Sequence, residues 1–246
     1  MTLFFSNLAK TAENGYSQKT MGDFLKNIDA IIFDMDGVLL DSETISIQSW
    51  RVVAAESALD TQEGIDALHA RCMGQNRTDI AAVLSEHYRN VSGFDATAFL
   101  NRSSAIFHEI AKNGVPLMPG VKDCLEFLSS LGITLALASS TREATVRREL
   151  EDARILGFFK TLTTGDMVSH SKPEPDIYLL AAASLGANPA RCIAVEDSPN
   201  GAESALRAGM RLVLVPDKIA PSDEMKRRAW KVLGSLSELK CAILDA

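Results

Sequence analysis

The sequence has few of the residues that build disulfide-rich or zinc-binding proteins. Its 246 residues include only four cysteines, which are scattered along the chain without paired spacing. This pattern argues against a disulfide framework and against a zinc site. We expect reduced cysteines that serve as packing residues of a cytoplasmic protein: Cys72, Cys124, Cys192 and Cys241.

The chain also lacks a surplus of positive charge and a long apolar run. Its net charge is −7 and it contains no run of Lys or Arg, so neither nucleic acid nor an anionic membrane surface is an expected partner. No apolar stretch approaches the roughly 20 residues that a bilayer requires. Residues 1–8 are apolar but have neither a basic start nor a small-residue cleavage site, so we do not expect a secretory signal.

One stretch organises the remaining pattern. In residues 28–38 an Ile-rich apolar run ends in two carboxylates, Asp34 and Asp36, followed by Gly37. Short apolar runs of this composition predict a buried strand, and the glycine marks the place where the strand ends. If the strand is central and parallel, the two acids lie at its C-terminal edge, where open α/β sheets bind ligands. Gly37 lets the backbone turn close beside a ligand.

Behind this strand the pattern is helical for some 75 residues and contains no alternating strand pattern. An all-helical insert at this position is well placed to act as a lid. Its histidines, His69, His87 and His108, have no metal-ligand spacing, so we expect each on a helix face or at the surface.

From residue 116 onward helices and strands alternate, with strands expected at 133–138, 161–164, 191–195 and 210–215. We expect Ser140 and Glu143 to form a capping box, and Ser198 to cap a helix that begins at Pro199. The fold class is therefore α/β, a doubly wound parallel sheet with an inserted α-helical cap domain. We place an N-terminal extension at 1–27, the core at 28–42 and 116–246, and the cap at 43–115.

Distinctive polar groups follow several of these strands. Because the ends of parallel strands lie at one edge, residues more than 160 positions apart would converge there. Each alone has an ordinary explanation, as a capping residue, a solvated lysine or an acidic helix start. The set consists of Asp34, Asp36, Ser139, Lys172, Glu196 and Asp197.

Several carboxylates close together need a cation, and an all-oxygen set suits Mg²⁺. A lysine, a serine hydroxyl and the backbone N–H groups at helix starts would bind the oxygens of a phosphate. Asp34 could then attack phosphorus and form an aspartyl-phosphate. Asp36 could protonate the leaving oxygen and later deprotonate the water that releases the enzyme.

These motifs in this order, Asp34-Met35-Asp36-Gly37-Val38, Ser139, Lys172 in Lys-Pro-x-Pro and Glu196-Asp197-Ser198, resemble those of the haloacid dehalogenase-like (HAD) superfamily of phosphohydrolases. The match runs from about residue 28 to 215. The resemblance implies a Rossmann-like HAD core. It also implies that Asp34 is the nucleophile and a metal ligand, and that Asp36 is the general acid/base and a ligand through its backbone carbonyl. Ser139 and Lys172 would hold the phosphoryl group, while Asp197, with Glu196 nearby, would complete the magnesium site.

Asp-Ser-Glu at 41–43 and the helical insert resemble the branch that holds phosphoglycolate phosphatase, sugar-phosphate phosphatases and β-phosphoglucomutase. β-Phosphoglucomutase has a histidine that supports catalysis at the position where this chain has Ser46. This difference weakens the hypothesis that the chain is a mutase. Arg77, in Gly-x-x-Arg, matches a cap loop of this branch. We expect Gly37, Glu43, Arg77 and Ser140 to contact the substrate.

The leading hypothesis is a Mg²⁺-dependent phosphatase that acts on a small phosphorylated metabolite, of the sugar phosphate or phosphoglycolate type. A phosphohexomutase is the main alternative, and a haloacid dehalogenase would have no need of Asp36 or a metal site. A phospho-acceptor signalling module like a receiver domain needs about half this length, and a catalytically idle binding protein would not need every motif residue to be competent. We expect a cytoplasmic monomer or weak homodimer.

Overall fold

The computed structural model describes residues 26–245. Almost all of the predicted N-terminal extension, 1–27, lies outside this range. Within the described part of the chain, no helix is both long enough and apolar enough to cross a membrane.

A six-stranded parallel sheet forms the centre of the molecule, in the order β3-β2-β1-β4-β5-β6. The four later strands that the sequence predicts each lie within two residues of their expected ends. The sixth was not predicted, because two residues carry no readable pattern. The strands are β1 Ala30–Phe33, β2 Leu135–Ser139, β3 Thr161–Thr164, β4 Cys192–Glu196, β5 Arg211–Leu214 and β6 Lys231–Val232.

The strand order places β1 between β2 and β4, and the direction of winding reverses there. In a doubly wound sheet this reversal opens a crevice at the C-terminal ends of the two central strands. Alternate residues of β1 face opposite layers, with Ile31 and Phe33 on one side and Ala30 and Ile32 on the other. All four are fully buried, which explains why β1 reads as a continuous apolar run.

Helices cover both faces of the sheet. One layer includes α5 Val121–Ser130, α6 Glu143–Asp152 and α10 Leu239–Leu244, and the other includes α7 Asp176–Leu185 and α8 Pro199–Arg207. Helix α9, Asp223–Arg228, connects β5 with β6.

The predicted helical insert is present between β1 and β2. It consists of α1 Ser42–Glu56, α2 Gln62–Cys72, α3 Arg77–His87 and α4 Ala96–Ile110. These helices enclose a hydrophobic cluster of their own, in which Trp50, Leu68, Leu84 and Phe99 are buried. The fold class is confirmed as a Rossmann-like parallel sheet with a helical cap.

Two local predictions had different outcomes. Ser198 caps α8 as expected: its hydroxyl accepts a 3.1 Å hydrogen bond from the Gly201 N–H, with Pro199 in the first turn. The Ser140–Glu143 capping box is wrong, because α6 begins at Glu143 and receives its cap from a distant residue. The Asp166 carboxylate accepts from the Glu143 N–H at 3.1 Å.

One cysteine also departs from expectation. Cys72, Cys124 and Cys192 are buried, as packing residues should be. Cys241 is exposed on the short helix α10, so it is not a packing residue.

Candidate active site

The C-terminal ends of the central strands bring the predicted polar residues to one edge. Asp34 and Asp36 follow β1, and Asp197 follows β4. All three line a cavity of about 740 Å³ between the sheet edge and the cap. Glu43 and Arg77 line the same cavity from the cap side.

Lys172 lies in the floor of this site, with only 1% of its surface exposed. Its Nζ donates to the Asp34 carboxylate, and also to Glu196 Oε1 at 2.6 Å and to the Ala138 carbonyl at 3.3 Å. Burial opposes the charged ammonium, but the attraction of Asp34 and Glu196 outweighs it and raises the pKa of Lys172 above its ordinary value. The lysine is therefore a fixed positive charge at the end of β1.

Negative charge exceeds this single positive charge. Burial raises the pKa of Asp34 to about 8 despite Lys172, and Glu196 and Asp36 add to the rise. Burial and the neighbouring Glu196 likewise raise the pKa of Asp197 well above its usual range. Such crowding of carboxylates is relieved when a cation neutralises them.

The donor set fits a magnesium ion. Carboxylate oxygens of Asp34, Glu196 and Asp197 lie within 4.8 Å of one another. Asp197 Oδ2 is buried and has no hydrogen-bond partner, which is costly unless a cation or water satisfies it. All the donors are oxygen, as Mg²⁺ prefers.

Glu196 differs from the other two acids because both of its oxygens are already engaged. Oε1 accepts from Lys172 and, at 2.6 Å, from the Tyr178 hydroxyl. Oε2 accepts from the Asp197 N–H at 3.2 Å and from the Ser198 hydroxyl at 3.3 Å. We therefore expect Glu196 to orient Lys172 and Asp197 rather than to be a principal metal ligand.

Three hydroxyl groups surround the Asp36 carboxylate. Ser42 donates to Oδ1 at 2.6 Å, and Thr141 donates to Oδ2 at 3.0 Å. Ser139 reaches Oδ2 at 3.5 Å, while its own oxygen accepts from the Thr141 N–H at 3.1 Å. Ser139 is fully buried, and its contact with Asp36 is the longest of the three. Its expected contact with a phosphoryl group stays a prediction.

The remaining predicted residues lie around the cavity. Gly37 has a φ of +79°, and a Cβ there would overlap the Asp197 carboxylate, so only glycine fits. Ser140 lines the cavity, but its hydroxyl donates to the Gly74 carbonyl of the cap at 2.8 Å. This bond fastens the Gly-x-x-Arg loop to the sheet edge. Substrate contact by either residue stays a prediction.

Arg77 is held within the cap. Its guanidinium donates to Asn101 at 2.6 Å, to Ser104 at 3.2 Å and to the Leu100 carbonyl at 3.4 Å, all on α4. Burial, together with the positive charge of Arg142 on the core, lowers the pKa of Arg77. Two guanidinium groups thus line the same cavity from opposite sides. This electropositive pair suits an anionic substrate.

Glu43 lies on α1, at the junction of core and cap, and its side chain is 12% exposed. Burial, reinforced by Asp36 and Asp34, raises the pKa of its carboxyl group to about 8. Glu43 lines the cavity, and its contact with substrate stays a prediction.

Sequence reasoning missed several residues of the site. Thr141 lies two positions after Ser139, so the loop after β2 carried a signal for it. Tyr178 lies in an apolar helix, so its sequence context indicates a core residue. Its hydroxyl reaches Glu196 only because the helix packs on the sheet. His69 lies on a face of α2, which agrees with the expectation of a helix face or the surface, but its place in the cavity wall was not predicted.

Comparison with known proteins decides the family. A family model described as haloacid dehalogenase-like hydrolase matches residues 31–215. The chain belongs to this family. The match begins within β1 and ends just after β5, so it spans every polar group of the candidate active site.

Several relatives of this haloacid dehalogenase-like hydrolase match over most of their length. A phosphorylated carbohydrates phosphatase of Thermotoga maritima is 33% identical over 189 residues, covering 76% of this chain and 84% of the relative. Hexitol phosphatase B of Escherichia coli K12 is 30% identical over 214 residues, covering 87% and 95%. The crystal structure of a putative β-phosphoglucomutase from Thermotoga maritima has a TM-score of 0.69 at 28% identity, covering 89% of this chain and 100% of that one.

Proposed function

We propose that this chain is a Mg²⁺-dependent phosphatase that hydrolyses a small sugar or polyol phosphate through an aspartyl-phosphate on Asp34. One observation carries the proposal: Asp34 and Asp36 line one cavity while a buried lysine is hydrogen-bonded to Asp34. A nucleophile, an acid/base group and a fixed positive charge are thus combined at a single strand end.

In the first step an Asp34 carboxylate oxygen attacks phosphorus and the bond to the leaving oxygen breaks. Asp36 donates a proton to that oxygen, so the product leaves as an alcohol. In the second step Asp36 takes a proton from water as the water oxygen attacks phosphorus. The bond to Asp34 breaks, and inorganic phosphate and free enzyme result.

The other residues hold these groups in place. Lys172 balances the charge of Asp34 and would bind a phosphoryl oxygen as charge builds up. Ser42, Ser139 and Thr141 fix the orientation of Asp36. Asp34, Asp197 and the backbone carbonyl of Asp36 would hold the Mg²⁺. When bound, the ion supplies neutralisation of the phosphoryl charge.

Residues of the cavity wall and the names of the relatives both indicate the substrate class. Arg77 and Arg142 attract anions, while Glu43 and several hydroxyl groups of the wall suit a polyhydroxylated molecule. Two of the relatives are named for phosphorylated carbohydrates and for hexitol. We infer a sugar phosphate or polyol phosphate, with phosphoglycolate as the smaller alternative.

A phosphohexomutase is the second candidate, because the structural match named a putative β-phosphoglucomutase covers the whole of that chain. It would transfer the phosphoryl group to a second sugar hydroxyl rather than to water. Excess of a sugar bisphosphate should then stimulate conversion of one sugar phosphate into another, with no net release of phosphate.

The deciding experiment is a panel of sugar phosphates, polyol phosphates, phosphoglycolate, nucleotides and phosphonates, assayed with Mg²⁺ and with chelator. We expect phosphate release from sugar or polyol phosphates, its loss with chelator and its recovery on adding Mg²⁺. Interconversion without release would select the mutase. A cytoplasmic location and a monomeric or weakly dimeric state remain predictions.

A further inference from the structure

A buried histidine, a serine and a glutamate meet in the wall of the cavity that Asp34 and Asp36 also line. The Ser46 hydroxyl lies 2.7 Å from His69 Nε2, and Glu43 Oε2 lies 3.5 Å from the same nitrogen. Glu43 and Ser46 lie on α1, and His69 lies on α2, 23 residues further on. The reaction described above uses neither Ser46 nor His69.

All three side chains line the catalytic cavity. The imidazole is only 6% exposed and packs edge-on against Trp50, with ring centroids 4.9 Å apart. Trp50 lines the cavity as well, and it packs on Phe99 at 5.3 Å. The cluster is therefore a preorganised polar patch on an apolar support, as binding sites for small polar molecules usually are.

The chemistry of this patch suits hydroxyl groups better than phosphate. Burial lowers the pKa of His69 to about 4, so its imidazole is uncharged near neutral pH. A neutral imidazole and a serine hydroxyl can each donate and accept hydrogen bonds, and the carboxyl oxygens of Glu43 accept them, so the patch can pair with sugar hydroxyls. Phosphate would instead be drawn to Arg77 and Arg142.

We propose that Glu43, Ser46 and His69 form a hydroxyl-binding subsite that recognises the polyhydroxylated leaving group of the substrate. This inference rests on the proposed phosphatase function and adds specificity to it. Ser46 and His69 share one hydrogen bond, which leaves the remaining capacity of the serine oxygen for the substrate. His69 thereby acts on the substrate partly through Ser46, as a positioning residue.

The test compares two esters that share a six-carbon chain and a primary phosphate but differ in hydroxyl groups: D-glucitol 6-phosphate and n-hexyl phosphate. Wild-type enzyme should prefer the glucitol ester in kcat/KM. Ser46→Ala and His69→Phe should each reduce this preference about 10-fold, the loss expected for a buried hydrogen bond. The double variant should lose little more, because the two side chains act through one bond.

His69→Phe keeps an aromatic ring against Trp50, and Ser46→Ala provides an independent test if the histidine variant does not fold. His87→Phe is the matched control. It removes a cap histidine that pairs with Asp60 outside the cavity, so it should leave the preference unchanged.

Three results would overturn the subsite. The wild type could show equal kcat/KM for the two esters, or the variants could lose kcat/KM equally on both. The third is a double variant whose loss of preference is the full sum of the two single losses. Failure of the wild type to hydrolyse any ester in the presence of Mg²⁺ would overturn the proposed phosphatase instead. In that case, calorimetric binding of D-glucitol 6-phosphate still tests the subsite: affinity reduced about 10-fold by Ser46→Ala supports it, and unchanged affinity contradicts it.

Discussion

The Ser42 hydroxyl donates a 2.6 Å hydrogen bond to Oδ1 of Asp36. Ser42 is the first residue of α1, the helix by which the chain enters the cap. The bond therefore joins the orientation of the proposed acid/base to the position of the cap, through two residues only six positions apart. Movement of α1 away from the core would release one oxygen of Asp36.

Ser42→Ala should weaken catalysis by misorienting Asp36. We expect kcat to fall about 10-fold on an alkyl phosphate, because one hydrogen bond to the Asp36 carboxyl group is lost while Thr141 still holds the other oxygen. For p-nitrophenyl phosphate kcat should fall less, since its leaving group needs little protonation. Thr44→Ala, whose hydroxyl bonds Asp41 in the same turn, is the control. Equal losses on both esters would contradict this role.

Asp34→Asn should abolish phosphate release, with a loss of several orders of magnitude, because an amide neither attacks phosphorus nor balances a cation. Initial rates with saturating Mg²⁺ measure the loss, and thermal melting checks the fold. Asp29→Asn is the control: Asp29 precedes β1 at its other end and pairs with Arg191. Near-normal turnover by a folded Asp34→Asn protein would refute the aspartyl-phosphate route.

Gly37→Ala should weaken Mg²⁺ binding about 10-fold or more, because its Cβ would displace the Asp197 carboxylate. Calorimetric titration with Mg²⁺ measures the effect without turnover. Gly209→Ala is a close control, since Gly209 has the same φ of +79° but open space around its Cβ position. Both variants should lose about 1–2 kcal/mol of stability from backbone strain. Equal Mg²⁺ affinity in both would exclude the proposed overlap.

Arg77→Ala should reduce kcat/KM for a sugar phosphate strongly, by the 1.5–3 kcal/mol or so of a charge-assisted hydrogen bond. A small artificial ester that does not reach the cap should be affected far less. Arg89→Ala removes an exposed cap arginine that pairs with Glu86, and it should have no effect. If kcat/KM falls equally for both esters, or for neither, Arg77 serves only to join α3 to α4.

His69 should make stability depend on pH. Burial lowers its pKa to about 4 from an ordinary value of 6.5, so the unfolded chain takes up a proton more readily. The contribution of His69 is fully present above pH 6.5 and is lost as the pH falls toward 4, by as much as about 3 kcal/mol. Urea unfolding of wild type and His69→Gln at several pH values measures it. Parallel curves would show that His69 does not titrate in this way.

Five strands of the sheet, and the polar residues that follow them, can be predicted from the sequence alone. The run before Asp34 reads as a strand because β1 is buried on both faces, and burial on both faces leaves an unbroken apolar pattern. Ser198 and Pro199 mark the start of α8 because capping uses neighbouring backbone groups. Such features depend on residues close in sequence, so a single sequence carries them.

The hydrogen-bond partner of each polar group follows from the packing of distant elements. Ser140 fits a capping box locally, but its hydroxyl bonds the Gly74 carbonyl, 66 residues away. His69 lies in a helix without ligand spacing, yet the packing of α1 against α2 brings it to Ser46. Hydrogen-bond partners are set by how separate elements approach one another. Helical and strand periodicity records which face is buried and contains no information about what lies opposite.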